Sequence, residues 1–143
     1  MDVYILNESE NDDPEMATPG SACFDLAANV TVSLPPGVVT LIPTGLFMVI
    51  ETGYEGLIRP RSGISSTLTV ANSPGTVDCD YRGEIMVKLF NRTDEIYKIF
   101  KGDKIAQMGF RKVPIVVFKS MSRETFDKYR TDRGTGGFGS TGR

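Results

Sequence analysis

Short runs of β-branched, aromatic and aliphatic residues recur along the chain, and Gly or Pro punctuates them before a helical period can build up. The runs predict strands at Val3–Leu6, Cys23–Ala27, Val30–Leu34, Val38–Ile42, Gly45–Ile50, Glu55–Arg59 and Leu68–Val70. They continue at Glu84–Arg92, Ile96–Phe100, Lys104–Val113 and Ile115–Lys119. Pro35-Pro36-Gly37 and Glu51-Thr-Gly53 supply the residue types that tight turns demand. Many short strands with regular turn signals predict an all-β sandwich or barrel. The run from Glu84 to Phe90 alternates only partly, as in a strand covered on both faces or lying at an interface. One helix is predicted over Ser122–Tyr129, with Ser122 as its cap and Glu124 in the first turn.

Beyond Tyr129 the pattern changes. Residues 130–143 hold five of the fifteen glycines and one aromatic, Phe138, which is too little to build a core. The chain therefore divides into a single β-barrel domain, 1–129, and a glycine-rich tail, 130–143, expected to be flexible until something binds. The 143 residues suffice for one core, and a formal charge of -2 with scattered Lys and Arg gives no sign of a nucleic-acid partner. No apolar run is long enough for a membrane span, and the acidic start MDVYILNESENDD is unlike a secretory leader. The expected location is cytoplasmic or host-cell intracellular, not secreted. Cys23 and Cys79 lack metal-ligand spacing and read as free thiols.

The chain contains no histidine. That removes Ser-His-Asp and Cys-His catalysis, HExxH zinc sites and histidine bases together, leaving carboxylates, Lys, Tyr or a metal-bound water for acid-base work. Asp78-Cys-Asp80 places two carboxylates on the same side of an extended segment, where either a general base or a turn cluster with Asp80 paired to Arg82 fits. A calcium loop does not fit, because Arg82 and Leu89 stand where ligands are required. Arg59-Pro-Arg61-Ser62-Gly63 combines guanidinium groups and a hydroxyl at a turn, suited to oxyanions or simply to solvent. Gly134-Thr-Gly136-Gly-Phe-Gly139 formally satisfies GxGxxG but neither follows a clear strand nor opens a helix. It is either a loose terminus or a backbone cradle for phosphate, with Arg133, Ser140 and Thr141 as added donors.

Taken in order, five segments resemble the signature motifs of the trimeric dUTPase family. They are residues 17–26 (ATPGSACFDL), 60–63 (PRSG), 75–85 (GTVDCDYRGEI), 102–107 (GDKIAQ) and 133–142 (RGTGGFGSTG). The third and fifth are long and specific, and the resemblance runs from about Ala17 to the C-terminus. It implies a distorted jelly-roll-like β-barrel and a homotrimer with three active sites shared between chains. The first, second and fourth motifs would come from one chain, the third from another and the tail from the last.

The activity implied is hydrolysis of dUTP to dUMP and pyrophosphate, which limits uracil incorporation into DNA. Asp78 resembles the general base that activates water for in-line attack on the α-phosphorus. Asp25 resembles the carboxylate that holds, through water, a Mg2+ bridging the triphosphate. Asn72 resembles the uracil reader and Tyr81 the ring beneath the deoxyribose. Arg61, Ser62, Gly63 and Gln107 would hold phosphate oxygens, Arg133, Gly139 and Ser140 would close on the terminal phosphates, and Phe138 would stack on the base. Cys23 departs from the family, which often has glycine there; an ordinary strand residue is expected to be tolerated at this position. A dCTP deaminase would need a further carboxylate near Asn72, and a regulatory module without turnover would not need Asp25, Asp78 and Arg133 together.

Overall fold

The computed structural model describes residues 1–137. Its strands are β1 (Val3–Asn7), β2 (Phe24–Ala27), β3 (Val32–Leu34), β4 (Val39–Pro43), β5 (Leu46–Ile50), β6 (Tyr54–Arg59), β7 (Leu68–Val70), β8 (Gly75–Val77), β9 (Met86–Asn91), β10 (Tyr97–Ile99) and β11 (Lys104–Lys112), followed by one helical turn, α1 (Arg123–Phe126). All pairings are antiparallel. They form a four-stranded sheet ordered β2-β11-β6-β8, a three-stranded sheet β4-β9-β7, and the ribbons β1-β5 and β10-β3. The sheets wrap a single core as a distorted jelly-roll-like barrel.

Alternation along the strands supplies that core. In β9, Val87, Leu89 and Asn91 point inward while Lys88 faces out and Met86 and Phe90 are half-buried. One face of β9 is thus covered within the chain. Leu26, Leu34, Ile42, Leu68, Ile85 and Met108 are fully buried beside them, each contributing roughly 1.5–3 kcal/mol through the apolar area it removes from water. Asn91 is buried without penalty because every polar atom is answered. Its Nδ2 donates to the Leu34 and Glu95 carbonyls, each at 2.8 Å, and its Oδ1 accepts from the Thr93 amide and hydroxyl.

Three elements differ from the sequence expectation. β8 was not predicted; three residues beginning with Gly carry little strand signal, and β8 exists through its ladder to β6. Residues 115–119, predicted as a strand, pair with no strand among the described residues: Ile115 and Phe118 are 97% and 95% exposed. Just before them the Val113 amide donates to the Gly53 carbonyl at 2.8 Å. A β-branched run has strand propensity, yet a strand also needs a partner ladder. The helix is shorter than Ser122–Tyr129, although Ser122 caps it as expected by accepting from the Thr125 amide. With no buried residue along it, nothing extends the helix beyond its cap. Among the described residues no helix is long and apolar enough to cross a membrane.

Candidate active site

Register across the four-stranded sheet assembles the first group of candidates. Gln107 on β11 lies opposite both Asp25 on β2 and Arg59 on β6, so one row of residues crosses three strands. From the end of β6 the chain turns at Pro60 and brings Arg61 back over that row. Gln107 fixes the turn by donating its amide Nε2 to the Pro60 carbonyl, 2.8 Å. Arg61 Nε then donates to Asp25 Oδ1 at 2.7 Å and its NH2 to Oδ2 at 3.3 Å, while its NH1 donates to the Lys104 carbonyl. Lys104 Nζ reaches Asp25 Oδ2 at 3.1 Å. Arg61 and Lys104 thus flank one half-buried carboxylate, and the cleft beside it is also lined by Glu10, Asp12, Asp13 and Glu15, so cationic and acidic groups face each other across it. Ser62 and Gly63 follow on the exposed loop, and a side chain added at Gly63 would meet no atom within 4 Å.

The second group surrounds a cleft of about 290 Å³ at the β8 edge of the same sheet, lined by Asn72, Asp78, Tyr81 and Glu84 among others. Asn72 sits in the turn between β7 and β8, where the Ser73 amide donates to the Val70 carbonyl and the Ser73–Pro74 peptide is cis. Gly75 leaves room for it: a Cβ there would approach Asn72 Nδ2 to 3.1 Å. Asp78 follows β8 directly and opens a turn closed by the Tyr81 amide on its carbonyl, 3.1 Å. Its exposed carboxylate forms no ion pair among the described residues. Tyr81 folds back over Gly83 and donates its hydroxyl to the Glu84 carbonyl at 3.0 Å.

Two sequence expectations need correction. Arg82 does not pair with Asp80; its NH1 donates to the carbonyls of Cys79 and Tyr81, both at 2.8 Å, and so staples the turn through backbone. Cys23 is not a strand residue but lies in the bend just before β2, half-buried. Gly109 on the neighbouring β11 makes room for it, since a Cβ at Gly109 would come within 3.1 Å of Cys23 Sγ. Cys23 and Cys79 are both free thiols.

The two groups do not meet within one chain. β2 and β8 are the outer strands of the sheet, three strand spacings apart, or about 14 Å at the usual interstrand distance. Arg133 joins neither: its Nε donates to the Gly136 carbonyl within its own tail turn, 2.8 Å. Phe138, Gly139 and Ser140 lie outside the described residues. Lys104 was not foreseen as a partner of Asp25. Its place at the start of β11, opposite Ala27, was the available signal, but only the register shift between Lys104 and Ala106 shows where the side chain can reach.

Among the described residues no cluster of three or more acidic, cysteine or histidine side chains could enclose a metal. The donor set at Asp25 is a single carboxylate in a cleft that Glu10, Asp12, Asp13 and Glu15 also line. That suits Mg2+, which keeps most of its waters and takes the rest of its ligation from phosphate.

An all-β barrel with a cation-flanked carboxylate at one sheet edge and a nucleoside-sized cleft at the other places this chain in the jelly-roll-like class of β proteins. The dUTPase family model matches residues 9–142, and the chain belongs to that family. It is 44% identical over 146 residues to the deoxyuridine 5'-triphosphate nucleotidohydrolase of Finegoldia magna, covering 99% of each chain. It is 46% identical over 148 residues to that of Wolbachia pipientis wMel, covering 99% and 95%. Among solved structures, the Staphylococcus bacteriophage 80alpha dUTPase with dUpNHpp superposes with a TM-score of 0.87 at 25% identity, over 99% of both chains. A mutant dUTPase from phage phi11 of S. aureus, described with a structural Mg(II) ion, gives 0.78 at 25% identity over 86% of this chain and 98% of that one.

Proposed function

We infer that this protein hydrolyses dUTP to dUMP and pyrophosphate, serving nucleotide metabolism and limiting uracil incorporation into DNA. The observation that carries the reading is the segregation of its motifs. Residues of the first, second and fourth are drawn together around Asp25, while those of the third line a separate cleft. Three copies, each offering both edges, would build three sites, with the barrel (1–129) as framework and the tail (130–143) of one copy closing over another's nucleotide.

In this mechanism Asn72 and the hairpin backbone read uracil, and the Tyr81 ring packs beneath the deoxyribose. Asp78, uncommitted to any ion pair among the described residues, accepts a proton from the water attacking the α-phosphorus in line. The α–β phosphoanhydride bond breaks, and pyrophosphate leaves with the bridging oxygen. Arg61, Ser62, Gly63 and Gln107 hold phosphate oxygens, and Arg133, Gly139 and Ser140 close on the far phosphates while Phe138 stacks on the base. Asp25 would hold a hydrated Mg2+; such an ion, when bound, neutralises charge on the triphosphate. Positioning and electrostatics of this kind suffice for phosphoryl chemistry without histidine.

The test is magnesium-dependent pyrophosphate release from dUTP beside dTTP, dCTP and UTP. Uracil and cytosine present opposed donor and acceptor patterns, so dCTP should be rejected by ~10⁴ or more, and UTP by on the order of 10². Release confined to dUTP supports the reading, whereas equal turnover of dCTP or none of dUTP overturns it.

A further inference from the structure

Gly83 has no backbone reason to be glycine. Gly37, Gly45, Gly53, Gly102 and Gly134 have φ between +50° and +90°, where other residues are strained; Gly83 is not among them. What Gly83 lacks is space. A Cβ built there would stand 2.3 Å from Tyr81 Oη, 2.5 Å from Cζ and 3.0 Å from Cε2, all inside contact distance.

The backbone side of this contact is held, and the Tyr81 ring, 45% exposed, is the side that can yield. The Tyr81 hydroxyl is tied to the Glu84 carbonyl at 3.0 Å. Glu84 is itself clamped to the β4–β5 corner. Its Oε1 accepts from the Gly45 amide at 2.7 Å, and next to it the Ile85 amide donates to Leu46 O at 2.7 Å and Thr44 Oγ1 donates to Ile85 O at 2.6 Å. With residues 84 and 85 held to the barrel, a methyl at 83 would have to push the ring itself, breaking its hydroxyl bond and swinging it from its place beside the cleft.

We propose that Gly83 is a sugar-specificity determinant: its missing side chain lets the Tyr81 ring lie where it admits a deoxyribose and leaves no room for a 2′-hydroxyl. Gly83 acts through Tyr81 and is a positioning residue. The proposal rests on Tyr81 as the surface beneath the sugar.

The test uses the full chain and measures kcat/KM for dUTP and UTP, with thermal midpoints, in Tyr81→Ala, Gly83→Ala and the double variant. Tyr81→Ala should lower the dUTP/UTP ratio by roughly 10- to 100-fold, and Gly83→Ala by at least about tenfold. The double variant should match Tyr81→Ala, because the added methyl then has no ring to displace. A Gly83→Ala enzyme that loses both substrates in proportion overturns the proposal, as does a double variant showing the product of the two losses. An unchanged ratio in Tyr81→Ala would overturn the sugar role of Tyr81 itself, a failure visible separately. If Gly83→Ala alone does not fold, the double variant should still fold with the midpoint of Tyr81→Ala; a double variant that is equally unfolded overturns the proposal.

Discussion

The Asp25 patch and the Asp78 cleft occupy opposite edges of one sheet, and they treat their carboxylates in opposite ways. Asp25 is held from both sides by Arg61 and Lys104, with its side chain only 15% exposed. Asp78 is exposed and has no cationic partner among the described residues. A carboxylate tied through both oxygens to Arg61 and Lys104 is fixed in position. It suits holding and orienting. A carboxylate without such partners leaves its oxygens open to a water, the position a general base must occupy. The difference is the one that the proposed roles require, one carboxylate to hold and the other to act as base.

Exchanging or removing these features should break that contrast in a graded way. The largest effect is expected at the free carboxylate: Asp78→Asn should keep nucleotide binding and lose roughly 10²- to 10⁴-fold in kcat, read by single-turnover rates beside binding of a non-hydrolysable analogue. Near-normal turnover would remove Asp78 from the base role. Truncation before Arg133 comes next. Among the described residues it removes none that is buried, so the melting profile should hold while activity falls on the order of 10²-fold through loss of closure. Unchanged activity would leave the tail without a catalytic part.

At the locked carboxylate, Asp25→Asn should raise the magnesium needed for half-maximal rate by about 10- to 100-fold, with a smaller change in rate at saturating metal. An unaltered magnesium dependence would show that Asp25 serves only its ion pairs. The smallest effect is expected at Lys104→Met. Its side chain is 57% exposed, so solvent screens the pair, and stability should change by less than about 1 kcal/mol in chemical denaturation. A much larger loss would mean that Lys104 and Arg61 hold Asp25 as one unit.

Much of this was legible in the chain. Leu68–Val70 was predicted with its observed limits, and most other strands to within a residue or two at either end, because β-branched runs bounded by Gly and Pro carry their own signal. Asp25, Asp78, Tyr81 and Gln107 stood in recognisable motifs. The errors share a physical cause. β8 is three residues long and begins with glycine, so only its ladder to β6 makes it a strand. Residues 115–119 have the composition of a strand and no ladder among the described residues. Arg82 stood beside a carboxylate in sequence, yet the turn delivers its guanidinium to two carbonyls instead.

Sequence by itself determined the all-β class, the exclusion of histidine chemistry, the order of the five motifs and hence the family, since these depend on residue type and spacing along one line. Tertiary structure alone decided that Arg61 and Lys104 converge on Asp25, that Cys23 fits because Gly109 faces it, and that Gly83 leaves room for Tyr81. Each of those depends on which strands lie side by side and in what register. Distances of a few ångströms between side chains remote in sequence, or across a turn, appear only once the backbone has closed.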